Sequence, residues 1–413
     1  MSEIRNVPEI RFKGFKDDWK QHELGAIGET KSGVGFPDCE QGGDRGIPFF
    51  KVSDMNNLGN EHEMHNSNNY VTNKQILENK WKPIDKVPSI IFAKVGAAIM
   101  LNRKRLVREP FLIDNNTMAY IFDDSWEDYF GKTKFETIYL PKFAQVGALP
   151  SYNGNDIEAI KIYRPNKLEQ KNIGQFFQRI DNLITLHQRK YDQIVNFKKA
   201  MLKKMFPKDG SDIPEIRFKE FNKKDINAWE KKNFGDMVDF FSGLTYNPNY
   251  VKKEGTLVLR SSNVKNGEIV SADNVFVDSE VVNSKNVEFG DVIVVVRNGS
   301  RDLIGKHAQI KKDMPNTVIG AFMTGIRSER PDFISAILDT DNFDKEISKN
   351  MGATINQITG KMFMDMNFVI PSEEEQIKIG AFFRKLDDLI LLYYQKLQKL
   401  KHIKKALLEK MFV

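Results

Sequence analysis

The sequence contains a near-copy of itself at a separation of 206 residues, and this internal repeat constrains the fold more than any other feature. Segments 169–207 and 375–413 align without a gap, and 18 of their 39 positions are identical. The two halves also open alike, because VPEIRFKGF at 7–15 matches IPEIRFKEF at 213–221. A chain of 413 residues with this period predicts two similar folding units related by a pseudo-twofold axis.

Both repeated segments are predicted to be long helices. Apolar or aromatic residues occupy 17 of 20 positions that alternate in steps of four and three, from Ile173 to Met205 and from Ile379 to Met411. Such a helix spans roughly 50–55 Å and has to bury its apolar stripe. One interpretation pairs the two helices as an antiparallel coiled coil, and the other packs each helix on its own globular domain. The residues predicted to pair the helices are Ile173, Phe177, Ile180, Ile184, Tyr191, Ile194, Ile379, Phe383, Leu386, Ile390, Leu397 and Leu400.

The remainder of each half has the pattern of a mixed α/β domain. Short β-branched runs predict strands at 47–52, 89–95, 256–261 and 291–297, and Gly- and Asn-rich turns separate them. The fold class is therefore α+β. The predicted boundaries are 1–165 for the first domain, 166–207 for its helix, 208–371 for the second domain and 372–413 for its helix.

Charge is distributed unevenly along the chain. The net charge is +6, whereas each repeated helical segment carries +5, so the other 335 residues sum to −4. A basic helix can attract a phosphate backbone, although a solvated helix face has the same composition. The only cysteine, Cys39, excludes an internal disulfide and favours a reducing cytoplasm. Apolar runs such as that at 292–296 are too short for a membrane span, so no membrane partner is expected.

No catalytic or metal-binding motif emerges from the sequence. It contains neither GxGxxG nor GxxxxGK[ST], and NPNY at 247–250 lacks the second proline of an amino-methyltransferase motif. His62 and His65 have a possible ligand spacing, but chance placement in a polar loop is the better interpretation. We therefore expect no catalytic residue, no metal site and no cofactor bound by this chain.

Polar and basic residues cluster in the turns that follow predicted strands. Arg and Lys suit guanine edges and Asn and Gln suit adenine edges, although surface turns are rich in these residues in any protein. The candidates for DNA contact in the first half are Lys31, Ser32, Lys51, Ser53, Lys94, Arg103, Lys104, Arg105, Asn115 and Asn116. Those in the second half are Ser242, Arg260, Ser262, Asn263, Arg297, Asn298, Arg301, Asn356 and Gln357.

Several motifs together resemble the specificity subunit of type I restriction–modification systems. They are the two copies of E-Q-x-x-I-G-x-F-F and K-K-A-x-L-x-K-M-F, the paired P-E-I-R-F openings, L-R-S-S-N-V at 259–264 and G-D-V-I at 290–293. The resemblance covers almost the whole chain. It implies two target recognition domains, each followed by a long spacer helix, with the two helices packed antiparallel.

The resemblance also implies a non-catalytic role in a larger assembly. The expected partners are double-stranded DNA, two methyltransferase subunits and restriction/translocase subunits, with S-adenosylmethionine, ATP and Mg bound by those subunits. Because the two recognition regions differ more than the helices do, we expect an asymmetric bipartite target. The alternatives are a self-sufficient DNA-modifying enzyme, which the missing motifs disfavour, and a coiled-coil adaptor that does not bind DNA.

Overall fold

The two repeated segments each form one uninterrupted α-helix of 39 residues, about 58 Å long. The computed structural model describes residues 6–145, 149–208, 210–222, 228–351 and 356–413. In chain order, the α-helices of this part are α1 (Asn73–Glu78), α2 (Asp128–Thr137), α3 (Gly154–Glu158), α4 (Lys167–Met205), α5 (Pro331–Leu338), α6 (Asp341–Asn350), α7 (Gly360–Met364) and α8 (Glu373–Met411).

The chain divides into two units, and each contains parts of both long helices. Unit 1 combines the chain up to Arg189 with Tyr394–Val413, and unit 2 is Lys190–Tyr393. The strands of unit 1 are β1 (Lys20–Glu23), β2 (Gly28–Ser32), β3 (Ile47–Phe50), β4 (Tyr70–Val71), β5 (Ser89–Ala93), β6 (Lys104–Val107), β7 (Leu112–Ile113), β8 (Thr117–Phe122) and β9 (Lys161–Arg164).

Unit 2 contains a corresponding set of strands. They are β10 (Glu230–Asn233), β11 (Asp239–Ser242), β12 (Val251–Lys252), β13 (Thr256–Leu259), β14 (Val264–Lys265), β15 (Glu268–Ile269), β16 (Val275–Val277), β17 (Val292–Val295), β18 (His307–Gln309), β19 (Thr317–Ile319), β20 (Met323–Arg327) and β21 (Asn367–Ile370). All four strands predicted from the sequence are confirmed, as β3, β5, β13 and β17.

The sheets of the two units have matching topology. An antiparallel sheet of order β2-β8-β5-β6 in unit 1 corresponds to β11-β20-β17-β18 in unit 2. The three-stranded sheet β4-β3-β7 corresponds to strands β16-β13-β19 of unit 2, where β12 extends the sheet to four strands, and each sheet contains one parallel pair. The pairs β1-β9 and β10-β21 close each unit just before its long helix begins. The repeat therefore includes the regions in which sequence identity is low.

Each unit buries the start of one long helix together with the end of the other. In unit 1, Ile173 and Phe177 of α4 join a core that also contains Met411 and Phe412. In unit 2, the corresponding core contains Leu202, Met205, Phe206, Ile379 and Phe383. Both helix ends are thus held by tertiary packing. None of the described helices carries an apolar stretch sufficient to cross a bilayer.

Candidate nucleic-acid interface

The repeated PEIRF segment fixes the beginning of each long helix. Arg11 donates from Nε and Nη2 to the two carboxylate oxygens of Glu169, at 2.7 and 2.8 Å. Arg217 binds Glu375 in the same bidentate way, at 2.8 and 2.7 Å. Both carboxylates are almost fully buried, at 0% and 1% exposure. A planar guanidinium matches two carboxylate oxygens at once, which explains why these residue types repeat.

The same segment also touches the end of the other helix within its unit. The backbone N–H of Ile10 donates to the carbonyl of Lys410 at 3.0 Å, and that of Ile216 donates to Lys204 at 2.8 Å. These carbonyls lie in the last helical turn, where no intrahelical partner exists. Each PEIRF segment therefore joins two helix ends.

The repeated Gln and Gly of the helices have structural roles too. Gln170 donates from Nε2 to the carbonyl of Pro165 at 3.0 Å, and Gln376 does the same to Pro371 at 2.9 Å. A Cβ on Gly174 would lie 2.1 Å from a carboxylate oxygen of Glu127 and 2.8 Å from the backbone nitrogen of Phe130, so only glycine permits this approach. The glutamines bind the residues that precede each long helix, and Gly174 allows the start of α4 to approach α2 closely.

A buried ionic cluster links both long helices to α2 in unit 1. Asp181 of α4 accepts from Lys132 Nζ at 2.6 Å and from Lys404 Nζ at 2.7 Å, and its side chain is fully buried. Lys404 also binds Glu136 at 2.7 Å. Burial raises the pKa of Asp181, but the two ammonium groups outweigh it and hold that pKa below its ordinary value. Removing one member would leave a buried charge uncompensated.

Unit 2 has a counterpart of this cluster. Lys198, which precedes Lys404 by 206 residues, binds Asp387 of α8 and lies 2.6 Å from Asp339. Burial lowers the pKa of Lys198, but the two carboxylates more than offset it and the pKa is raised. Both lysines interrupt the apolar heptad pattern, and the structure supplies the acid partners that the sequence did not reveal.

The unit 1 cluster also resembles a metal site in composition. His62, Glu136 and Asp181 place possible ligand atoms within 4.8 Å of one another. The two carboxylates already neutralise Lys132 and Lys404, however, so a divalent cation would meet two ammonium groups. We therefore assign these groups to helix positioning. His65 is exposed and lies outside the group.

Part of the candidate DNA-contact set in unit 1 lies at one end of the antiparallel sheet β2-β8-β5-β6. Lys94 Nζ donates to Ser32 Oγ at 3.0 Å, and its backbone N–H donates to the carbonyl of Asn116 at 2.7 Å. These residues come from the end of β2, the end of β5 and the turn before β8. The exposed members of the candidate set in this unit are Lys31, Ser32, Ser53, Asn115 and Asn116.

Other candidates in unit 1 are used inside the protein. Lys104 is buried and donates to Asn102 Oδ1 at 2.7 Å and to the carbonyl of Ile138 at 2.6 Å, and burial lowers its pKa to about 7. Arg105 donates to the carbonyl of Asn60, and Arg103 donates to Asn56. The half-buried Lys51 donates to Gln41. Their local hydrogen bonds leave the exposed members as the stronger DNA-contact candidates.

In unit 2, the structure brings two distant loops together. Arg297 forms an antiparallel bridge with Gln357, and Asn356 Nδ2 donates to the carbonyl of Gly299 at 3.1 Å. Asn298 Nδ2 reaches Ser261 Oγ at 3.2 Å, which joins this pair to the turn after β13. The predicted residues from 297 to 301 and from 356 to 357 are thus neighbours.

The remaining candidates of unit 2 differ in accessibility. Ser242, Ser262, Arg297 and Arg301 are exposed. Asn263 is buried and donates to the carbonyl of Ala272 at 2.7 Å, so it shapes the turn. Arg260 is half-buried and binds Asp273. Arg260–Asn263 follows β13 as Lys51–Asp54 follows β3, and in both the fourth residue caps the first backbone N–H.

The residues predicted to pair the helices are buried near the helix starts and half-buried toward the middle. Ile173, Phe177 and Ile180 belong to the unit 1 core, and Ile379, Phe383 and Leu386 belong to the unit 2 core. Leu397 is buried, while the half-buried members are Ile184, Tyr191, Ile194, Ile390 and Leu400. The starts of both helices therefore pack on their own domains as well as on a helix end.

The sequence analysis did not predict the bidentate Arg–Glu pairs at the helix starts or the buried ionic clusters. The Arg–Glu pairs could have been suspected from the sequence, because Arg11 and Glu169 both lie in segments that repeat at 206 residues. The ionic clusters left a weaker signal in the sequence, since a lysine within the apolar heptad pattern indicates a buried acid without identifying it. Lys132 had none, because nothing in its local sequence marks it as fully buried.

Comparison with known proteins identifies the family to which these features correspond. A family model described as the type I restriction modification DNA specificity domain matches residues 16–196 and again 226–402. The type I restriction enzyme MjaVIII specificity subunit of Methanocaldococcus jannaschii is 24% identical over 355 residues, covering 82% of this chain and 80% of that protein. The EcoKI specificity subunit of Escherichia coli is 30% identical over 173 residues, covering 40% of this chain and 36% of that protein.

A solved structure has the same fold over nearly the full length. The type I restriction–modification S subunit from M. genitalium superposes with a TM-score of 0.70 at 15% identity. The match covers 98% of this chain and 99% of the other. At this identity the likeness establishes the α+β fold alone.

Proposed function

The chain belongs to the family of type I restriction–modification DNA specificity proteins, and from that premise we propose that it is the non-catalytic DNA-recognition subunit of such a complex. The main support for this function is that both units present corresponding loops with different residues. Lys94 and Asn116 lie in these loops of unit 1, and Arg297 and Asn298 lie in those of unit 2. Two recognition units whose corresponding loops differ in sequence fit an asymmetric target of two half-sites.

We further propose that α4 and α8 form an antiparallel coiled coil that separates the recognition units. Contacts within each unit support this arrangement. In unit 1, the rings of Phe177 and Phe412 lie 5.8 Å apart, and in unit 2 those of Phe206 and Phe383 lie 6.0 Å apart. In both cases the start of one helix meets the end of the other. A rigid spacer of this length would fix the distance between the half-sites.

Exposed leucines on the two long helices suit the binding of two equivalent protein partners. Leu183 and Leu186 are 45% and 47% exposed on α4, and Leu389 and Leu392 are 41% and 42% exposed on α8. Each pair recurs at the 206-residue period. We propose that each leucine pair is the docking site of one methyltransferase subunit. That subunit, and not this chain, would bind S-adenosylmethionine. Restriction subunits would contribute ATP- and Mg-dependent cleavage in the same cytoplasmic complex.

Methylation-sensitive sequencing of a host that carries the subunit and its partners tests this function. We expect one bipartite motif whose methylation disappears when the gene for this chain is deleted. Methyl transfer by the purified chain alone would instead support a self-sufficient enzyme. Failure to bind any duplex, even with methyltransferase subunits present, would support an adaptor that does not bind DNA.

A further inference from the structure

One exposed aromatic ring lies beside Arg297, in the candidate DNA-contact loops of unit 2. Phe322 occupies the turn between β19 and β20, and 53% of its surface is exposed. A single exposed apolar side chain is ordinary in a soluble protein. Its meaning therefore depends on how it is held and on what lies at the corresponding place in the other unit.

Phe322 is fixed in place by Arg297. The carbonyl of Phe322 accepts the backbone N–H groups of Val296 and Arg297, at 2.9 and 3.3 Å. The guanidinium of Arg297 lies 5.1 Å from the centre of the phenyl ring, so the cation covers part of the ring. The ring and the guanidinium therefore form one preorganised element, which reduces the entropy lost when a ligand binds.

The corresponding residue in unit 1 is Asn116. It directly precedes β8 as Phe322 directly precedes β20, at the 206-residue period. Its carbonyl accepts the backbone N–H of Lys94 at 2.7 Å, which matches the contact between Phe322 and Val296. The neighbouring residues also correspond, because Val95 bridges Ser151 as Arg297 bridges Gln357. One backbone position thus carries an amide in one unit and an apolar ring in the other.

We propose that Phe322 is a specificity-determining residue that contacts the 5-methyl group of a thymine in the half-site read by unit 2. This inference rests on the proposed DNA-recognition function. In the major groove, an apolar side chain distinguishes thymine by its methyl group, whereas an asparagine amide can pair with adenine. The exposed Arg297 beside the ring supplies donors for a phosphate or a neighbouring base. Phe322 and Asn116 therefore make the two half-sites differ at equivalent places.

Thymine-to-uracil substitution isolates the methyl group from every other base feature. Once sequencing has given the motif, each thymine of the unit 2 half-site is replaced singly by uracil, and duplex affinity is measured with the methyltransferase complex. We expect one position to weaken wild-type binding about three- to fivefold, the effect of leaving one methyl group unburied. The F322A complex should bind the thymine and uracil duplexes equally at that position.

Phe289 provides a matched control, because it is a phenylalanine of the same unit with 63% exposure. It lies near Gln309 and Arg384, whereas Phe322 lies beside Arg297. The F289A complex should keep the full uracil penalty. An undiminished penalty in F322A, or a half-site without any sensitive thymine, would overturn the inference while leaving sequence-specific binding intact. Loss of sequence preference in the wild-type complex would instead refute the proposed function.

Discussion

Lys404 of α8 places its Nζ 2.7 Å from Oδ1 of Asp181 in α4, inside unit 1. The counterpart in unit 2 joins Lys198 of α4 to Asp387 of α8, with both residues displaced by 206 positions. Each long helix thus contributes one lysine near its end and one aspartate near its start. A buried ionic contact of this kind is specific to one register, because a shift by one turn would separate the charges.

Replacing Lys404 by methionine should destabilise unit 1. The change would leave Asp181 and Glu136 buried with one ammonium group fewer, and breaking a buried pair in this way costs about 3–5 kcal/mol. The midpoint of thermal unfolding, followed by circular dichroism, should fall clearly. Lys405→Met at the adjacent exposed position should leave it nearly unchanged. Equal midpoints for both variants would show that the cluster does not hold the helix.

The stability of unit 1 should decrease between pH 6.5 and pH 4 because of His62. Burial, reinforced by Lys132, lowers the pKa of His62 from 6.5 to about 4. The unfolded chain takes up a proton below pH 6.5, whereas the folded unit resists protonation until about pH 4. The stabilising contribution is therefore complete above pH 6.5 and is lost as the pH falls, by up to about 3 kcal/mol.

The measurement compares thermal unfolding of the wild type and His62→Gln at pH 7.5 and pH 5. The variant should lose less stability than the wild type over this interval, because glutamine does not titrate. His65→Gln, three residues away at an exposed position, should retain the wild-type pH dependence. Parallel pH dependence of the wild type and both variants would contradict this assignment.

Gly174→Ala should destabilise the junction between α4 and α2. The new Cβ would lie 2.1 Å from Glu127 Oε2 and 2.8 Å from the backbone N of Phe130, the group that Glu127 caps. Such overpacking costs about 1–3 kcal/mol and exceeds the modest helix-propensity gain of alanine. Urea denaturation should show the loss. Gly360→Ala, where a Cβ has nothing within 4 Å, should be neutral or stabilising.

The long helices should set the spacing between half-sites. Inserting four helical residues after Tyr191 lengthens α4 by about 6 Å and rotates its far end by roughly 40°. Base pairs are about 3.4 Å apart along the duplex, so the gap should grow by one or two pairs. Methylation-sensitive sequencing reads this directly. An active insertion variant with an unchanged motif would show that the long helices do not set the spacing between half-sites.

Arg297 and Arg301 should contribute more to DNA binding than lysines on the helix surface. Both arginines are exposed in the connection between β17 and β18. Losing a bidentate base contact costs about 1–3 kcal/mol and relaxes one motif position, whereas losing a phosphate contact weakens all duplexes and lowers the salt slope by about one unit. Alanine variants in the partner complex, titrated with target and scrambled duplexes at several salt concentrations, separate these effects. Lys399→Ala on α8 is the comparison, and equal binding by all three variants would contradict the predicted DNA face.

Periodicity and repetition allowed much of the architecture to be predicted. The heptad pattern located α4 and α8, since it ends with each helix at Met205 and Met411 and begins six residues inside each helix start, and β-branched runs located β3, β5, β13 and β17. These features depend on local backbone preferences and on residues three or four positions apart, so they are present in any window of the chain. The matching motifs also indicated the family and the corresponding turns.

Only the tertiary structure decided which polar side chains face outward and which are buried. Lys104 and Arg301 look alike as basic residues near strand ends, yet one is buried beside Ile138 and the other is exposed. Lys132 is buried because Asp181 and Glu136 neutralise it, and Lys404 reaches those acids from more than 200 residues away. The repeat determined that two similar units exist. The accessibility of each charge was fixed by long-range partners, because a charge can be buried only where folding supplies its counterion.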